Sequence, residues 1–222
     1  MITVDRLMME EYAVSLEQMM ENAGRNLAEL ARRQLGGQVQ DSRITVLCGP
    51  GNNGGGGMVA VRHLHNWGAR LNAALASDPA HLGNVPAHQW AILSEMRLTE
   101  AAFDLESSDL ILDALLGYGS RGDPRSPVKE WIERANASTR PILSLDSPSG
   151  LDTTTGVPGK SCIRAAATMT LAVPKTGLLA PGAREYVGDL WLADIGVPPD
   201  LYRRIGLGAV APFIEAPIVR IS

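Results

Sequence analysis

The sequence predicts an α/β fold in which a largely parallel sheet is covered by helices on both faces. Short apolar runs alternate with helix-like stretches through the first two thirds of the chain. A glycine-saturated segment, residues 49–57, is wedged between an apolar run and one of those stretches. Polar turn-formers close several of the apolar runs, as expected where strands end at the edge of an open sheet. With 222 residues, 45% of them hydrophobic, the chain can bury a sizeable core and reads most simply as one domain over residues 1–222.

In chain order, Leu16, Met20, Ala23, Leu27 and Leu30 recur on one face of an amphipathic helix. Ser15 and Gln18 form a capping box at its start, and Gly36 and Gly37 end it. Apolar runs at 44–48, 71–76, 109–116, 142–146, 168–173 and 189–195 predict strands, with helices over 58–67, 84–97 and 127–138 between the earlier ones. Ser126 as N-cap and Pro127 at the first helical position mark the start of the last helix. No obvious helix separates the last two runs, so one sheet edge is expected to be mixed or antiparallel. Cys48 and Cys162 lack metal-binding or redox spacing and read as small buried hydrophobes.

Charge and hydropathy narrow the function. A net charge of −4 and the absence of any Lys/Arg run argue against nucleic acid as a main partner. No stretch approaches the roughly 18 apolar residues of a membrane span. Asp5, Glu10 and Glu11 leave the N-terminus without the basic start and apolar core of a signal peptide, so the reading is a cytoplasmic protein with no membrane partner.

The glycine segment suits a phosphate, because bare backbone beside a helix start offers unpaired N–H groups and the positive end of the dipole. A flexible linker is the bland alternative, although linkers are not usually wedged between a β-branched strand and a periodic helix. Neither the dinucleotide fingerprint nor the P-loop is matched, since Met58 and Val59 stand where a P-loop needs Lys and Ser or Thr. Two further polar sequences, at 113–123 and 146–150, fall at strand C-termini and can line the same crevice. Asp113 interrupts an apolar run, where a carboxylate is costly unless paired or bound to a cation; a cap or a buried partner of Arg is the bland alternative. Asp146 meets a Pro-Ser-Gly turn that aims it into the crevice, with an Asx-turn as its alternative. Lys175 follows a strand and reads equally as a crevice residue or a solvated loop lysine. His63 and His65 point to different helix faces, and His81 and His88 lie in a polar stretch, which does not suit a shared metal.

Taken together and in this order, the segments 20–24 (Met-Glu-Asn-Ala-Gly), 49–55, 112–117 and 146–152, then Thr155-Gly156, Lys175 and Asp194-Ile195-Gly196, resemble the NAD(P)H-hydrate epimerases, the YjeF N-terminal domain family. The resemblance implies a three-layer α/β/α Rossmann-like sandwich, commonly dimeric, so a homodimer is expected. It implies epimerisation of the R and S forms of hydrated NADH or NADPH, a nicotinamide nucleotide repair reaction. A monovalent cation, usually K⁺, is implied at Asn53, Asp113 and Ser149, and an oxygen donor set with one carboxylate suits such an ion. The implied substrate loops are Asn52, Asn53, Gly54, Gly55 and Gly56, then Gly117, Tyr118, Gly119, Ser120, Arg121, Gly122 and Asp123. Asp146 matches the substrate-contacting Asp and is the expected acid/base group. No dehydratase domain is expected within the 222 residues, so a separate NAD(P)H-hydrate dehydratase would act alongside. The sequence departs from the pattern at Gly56, where the family has Asp, and at Arg121, where Lys is common. The missing carboxylate keeps open a second class, a catalytically silent nucleotide-binding or scaffold module of the same fold.

Overall fold

The computed structural model describes residues 1–99, 103–207 and 213–222. Seven strands form one sheet in the order β2-β1-β3-β4-β5-β6-β7. They are β1 (Arg43–Cys48), β2 (Arg70–Leu75), β3 (Leu110–Ala114), β4 (Ile142–Leu145), β5 (Ala167–Leu171), β6 (Asp189–Ala193) and β7 (Ile218–Arg220). All neighbours are parallel except β6 and β7. The helices are α1 (Ile2–Glu10), α2 (Leu16–Gln34), α3 (Asn52–Asn66), α4 (Asn84–Glu95), α5 (Val128–Ala137), α6 (Arg184–Val187) and α7 (Pro199–Arg204).

The two-residue period of the strands sorts their side chains into two cores. Val46, Cys48, Leu110, Leu112 and Ala114 point to one face and pack with Leu27 and Leu30 of α2, Met58 and Val61 of α3 and Leu93 of α4. Leu47 and Ile111 point to the other and pack with Ile132 and Ala135 of α5. Helices on both faces of a mostly parallel sheet make the expected three-layer α/β/α sandwich. A third cluster joins Val4, Leu7 and Met8 of α1 to Leu201 and Tyr202 of α7 and to Ala172 and Ile195 after β5 and β6. It fastens α1 at the end of the sheet where the site lies. Among the described residues no helix is long and apolar enough to cross a membrane.

Three expectations are corrected. The helix after β1 begins at Asn52, not at 58, so most of the glycine segment is helix and not bare loop. Its glycines serve close packing: a Cβ on Gly54 would lie 1.9 Å from Gly49 O, one on Gly55 2.6 Å from Met20 Sδ, and one on Gly57 2.6 Å from Ala114 Cβ. The antiparallel edge exists, but it is made by β7; β5 and β6 are parallel and joined through α6 and two short 3₁₀ turns. Helix α5 starts at Val128 with Pro127 as its N-cap, one residue later than Ser126 and Pro127 suggested. The capping box of α2 is present with both reciprocal bonds.

Candidate functional site

The chain passes from β1 outward to β2 and returns to place β3 on the other side of β1. The loops leaving β1 and β3 therefore diverge, and a crevice opens beyond the strand C-termini, the usual ligand position in such sheets. A cavity of about 450 Å³ occupies it. Gly51, Asn52, Asn53 and Gly56 line one side, residues 115–120 another, and Met19, Met20 and Asp5 contribute from α2 and α1. Leu145 and Asp146 reach it from β4.

Asp146 is the first residue after β4 and adopts φ 68°, the left-handed region that a non-glycine residue enters only when its surroundings hold it there. Its N–H donates to Met169 O at 2.7 Å, anchoring the turn to β5. The side chain makes no Asx-turn: Oδ2 accepts the Tyr118 N–H at 2.9 Å, and Oδ1 pairs with Lys175 Nζ. Lys175 also donates to Thr170 Oγ1 at 3.0 Å and to Leu171 O at 3.2 Å. Ala172, with φ 58°, turns the chain after β5 and leads to Lys175. At 8% exposure Lys175 is no solvated loop lysine, and Asp146 is 3% exposed.

Tyr118 connects this pair to α1. Its hydroxyl donates to Asp5 Oδ2, and its ring lies 5.7 Å from Lys175 Nζ. Burial raises the Asp5 carboxyl above its ordinary value, against the lowering effect of the Tyr118 hydroxyl. Burial also pushes the Tyr118 phenol up, with Asp5 adding to it.

Asp113 is fully buried, and its carboxylate is satisfied from within the protein. Oδ1 accepts the Ser149 hydroxyl at 2.5 Å and the Leu115 N–H at 3.3 Å, while Oδ2 accepts the Ser144 hydroxyl at 2.8 Å and the Ser149 N–H at 2.9 Å. Neither a helix cap nor an Arg partner is involved among the described residues. Burial raises its carboxyl in spite of those bonds, because no described cationic side chain faces the charge. Ser149 Oγ accepts the Leu116 N–H at 2.9 Å, and Asn53 Nδ2 donates to Leu145 O at 3.3 Å. A Cβ on Gly117 would lie 3.3 Å from Asn53 Oδ1. Asp113 and Ser149 are thus in direct contact, while Asn53 lines the cavity and reaches Leu145 O and the backbone at Gly117.

The other sequence-derived positions are divided. Asn52, Asn53, Gly56, Gly117, Tyr118, Gly119 and Ser120 line the cavity, whereas Gly54 and Gly55 are buried in helix packing. Gly122 and Asp123 line an adjoining cavity of about 410 Å³ that shares Leu116, Gly117 and Ser120 with the first. Asp123 Oδ1 accepts the Lys160 N–H at 2.9 Å there. Arg121 is exposed and donates to Tyr118 O and Ser120 O at 3.3 and 3.2 Å. None of the four histidines lines either cavity; His63 Nε2 and Glu21 Oε1 are 2.8 Å apart between α2 and α3. Sequence reasoning missed Asp5, since nothing in an isolated acidic residue on a nine-residue helix signals a site.

Fold and crevice define the class: a Rossmann-like α/β protein with a small-molecule site at the switch point of its sheet. A family model described as the YjeF-related protein N-terminus matches residues 16–177, and the chain belongs to this family. It is 42% identical to an NAD(P)H-hydrate epimerase of Dehalogenimonas lykanthroporepellens, over 99% of this chain and 89% of that protein. A bifunctional NAD(P)H-hydrate repair enzyme of Salinibacter ruber is 37% identical over 90% of this chain, which spans only 40% of that relative's length. The crystal structure of a yeast protein superposes with a TM-score of 0.81 at 23% identity, covering 98% of this chain and 96% of that one, a likeness of fold.

Proposed function

We propose that the protein interconverts the R and S epimers of hydrated NADH and NADPH. The observation that carries this reading is the buried Asp146–Lys175 pair at the floor of a largely apolar cavity, with the Tyr118 N–H fixing the carboxylate. In the hydrate, the carbon beside the ring nitrogen bears a hydroxyl. The nitrogen lone pair expels that hydroxyl as it takes a proton; the C–O bond breaks and a planar iminium remains. Water then adds to either face, the C–O bond re-forms, and the proton returns. One positioned acid/base group suffices. Asp146 carries the proton, Lys175 compensates its charge, and the Tyr118 N–H sets its direction. The first turn of α3 at Asn52 and Asn53 presents N–H groups and the positive dipole end to the pyrophosphate.

A monovalent cation such as K⁺ fits the residues beneath the cavity. Asn53, Asp113 and Ser149 supply amide, carboxylate and hydroxyl oxygens, and the Asp113 charge has no cationic side chain against it among the described residues. Such an ion would neutralise that charge and stiffen the loops after β3 and β4. Homodimerisation and a cytoplasmic setting rest on the resemblance and the sequence. A dehydratase acting in concert is further supported by the bifunctional relatives.

The silent-module reading rests on Gly56 alone, and no feature of the cavity favours it. The deciding experiment starts from one purified epimer of NADPH hydrate and follows the other by chromatography. Wild type should accelerate the exchange well beyond the spontaneous rate; an enzyme-free rate at saturating substrate assigns the protein to the binding-module class.

A further inference from the structure

Among the described residues two carboxylates line the cavity, Asp146 and Asp5. Both oxygens of Asp146 are engaged, one by Lys175 and one by the Tyr118 N–H. Asp5 differs. Its Oδ2 accepts the Tyr118 hydroxyl, and Oδ1 accepts no hydrogen bond from any described residue. We propose that Asp5 is a substrate-binding residue whose Oδ1 accepts a hydrogen bond from the nicotinamide half of the dinucleotide, from either the carboxamide N–H or a ribose hydroxyl. The inference rests on the function proposed above.

Three further observations support it. Tyr118 joins the two carboxylates, holding Asp5 by its hydroxyl and Asp146 by its backbone N–H, so Asp5 is oriented by the same residue that orients the acid/base group. Asp5 is part-buried at the cavity wall, and that burial raises its carboxyl against the lowering effects of the Tyr118 hydroxyl and the Met1 ammonium, so a ligand donor meets a partly desolvated acceptor there. Asp5 is also within electrostatic reach of the Met1 ammonium, which lines the same cavity, and of Asp146 and Lys175, which places it at the reacting end of the cavity and not at the adenosine end. The α3 wall offers no carboxylate of its own, because position 56 is glycine, so Asp5 supplies from α1 an acceptor that α3 lacks.

Calorimetry with two commercially made dinucleotides tests the assignment: NAD⁺ and nicotinic acid adenine dinucleotide, which differ only in carboxamide against carboxylate. Three proteins are compared, wild type, Asp5→Ala and Tyr118→Phe. If Asp5 reads the carboxamide, wild type prefers NAD⁺, and Asp5→Ala weakens NAD⁺ by roughly tenfold, the worth of one hydrogen bond to a charged group, while leaving the acid analogue unchanged. If the donor is a ribose hydroxyl, Asp5→Ala weakens both ligands alike, and Tyr118→Phe, which keeps the Asp5 carboxylate and only loosens its orientation, weakens both by clearly less. Equal weakening of both ligands by both variants reduces Asp5 to a fastener of α1 and overturns the proposal, as does wild-type affinity in Asp5→Ala. Should Asp5→Ala fail to fold, Asp5→Asn keeps the shape without the charge; in the carboxamide case it must bind the acid analogue more tightly than wild type does, and in the ribose case it must weaken both. A wild type that binds neither dinucleotide would instead overturn the nucleotide reading itself.

Discussion

Asp146 and Lys175, 29 residues apart in the chain, meet in a buried ion pair at the floor of the cavity. Each sits just beyond a strand end where a residue in the left-handed region turns the chain, Asp146 itself after β4 and Ala172 after β5. Breaking such a pair from one side strands the other charge away from water. Lys175→Met should therefore cost about 3–5 kcal/mol in denaturant unfolding, and Lys175→Met with Asp146→Leu should recover much of that stability without recovering activity. Additive losses in the double variant would show that the two groups are not coupled.

Chemistry and binding should separate at Asp146. Asp146→Asn keeps a side chain of the same shape that can still accept the Tyr118 N–H, but it removes the group that carries the proton. Epimer interconversion should fall by roughly 10² or more with dinucleotide affinity nearly unchanged. The readout is chromatographic separation of the epimers against time, corrected for spontaneous exchange. A loss seen only in KM would make Asp146 a binding residue.

Asp113 links stability to both pH and cation. Its carboxyl is raised above the ordinary 3.8, first by burial. A carboxyl held higher in the folded than in the unfolded state favours folding below the unfolded value and loses that advantage as pH rises through the folded one. In potassium-free buffer, wild type should thus lose stability relative to Asp113→Asn as pH climbs from about 4 toward neutrality, and potassium should restore it. Because four internal hydrogen bonds end on this carboxylate, Asp113→Asn should still cost about 1–3 kcal/mol without potassium at acid pH. Thermal melts in potassium, sodium and choline chloride separate the contributions. A stability gap indifferent to the cation would leave Asp113 a purely structural residue.

The periodic parts of the fold were legible because they write their burial into side chains. The spacing of Leu16 to Leu30 and the Ser15–Gln18 box define α2, and the apolar runs locate β1 to β6. Helix α3 shows the limit: glycines carry no side chain to display a period, so its first two turns read as loop, and only the neighbours across the gap reveal why glycine is there. β7 spans three residues and α1 nine, too short for their patterns to stand out. The motif residues Asn53, Asp113, Asp146 and Ser149 were visible one by one. Their partners were not, since the Asp146–Lys175 contact and the Tyr118–Asp5 contact, 113 residues apart, are products of the folded topology.

Two glycines two residues apart in α3 should respond in opposite ways. At Gly54 a Cβ would meet the carbonyl oxygen of Gly49 at 1.9 Å, and backbone that also bonds to β3 through Gly49 N–H cannot move aside cheaply. Gly54→Ala should cost at least the 1–3 kcal/mol typical of overpacking, although alanine is the better helix former. At Gly56 the nearest atom is Leu145 Cδ2 at 2.9 Å, the end of a side chain that can rotate, and the position faces the cavity. Gly56→Asp should leave the melting temperature within a few degrees of wild type. It places a carboxylate near the start of α3, where the resemblance expects one, although the fifth helical residue gains little from the dipole. Its effect should therefore appear in recognition: a lower KM for the hydrate, or a faster exchange of epimers. A Gly56→Asp protein that is as stable as wild type and no better with substrate would mean that Gly56 is no lesion in this chain, and that acceptors elsewhere in the cavity, Asp5 among them, already do the work of the missing acid.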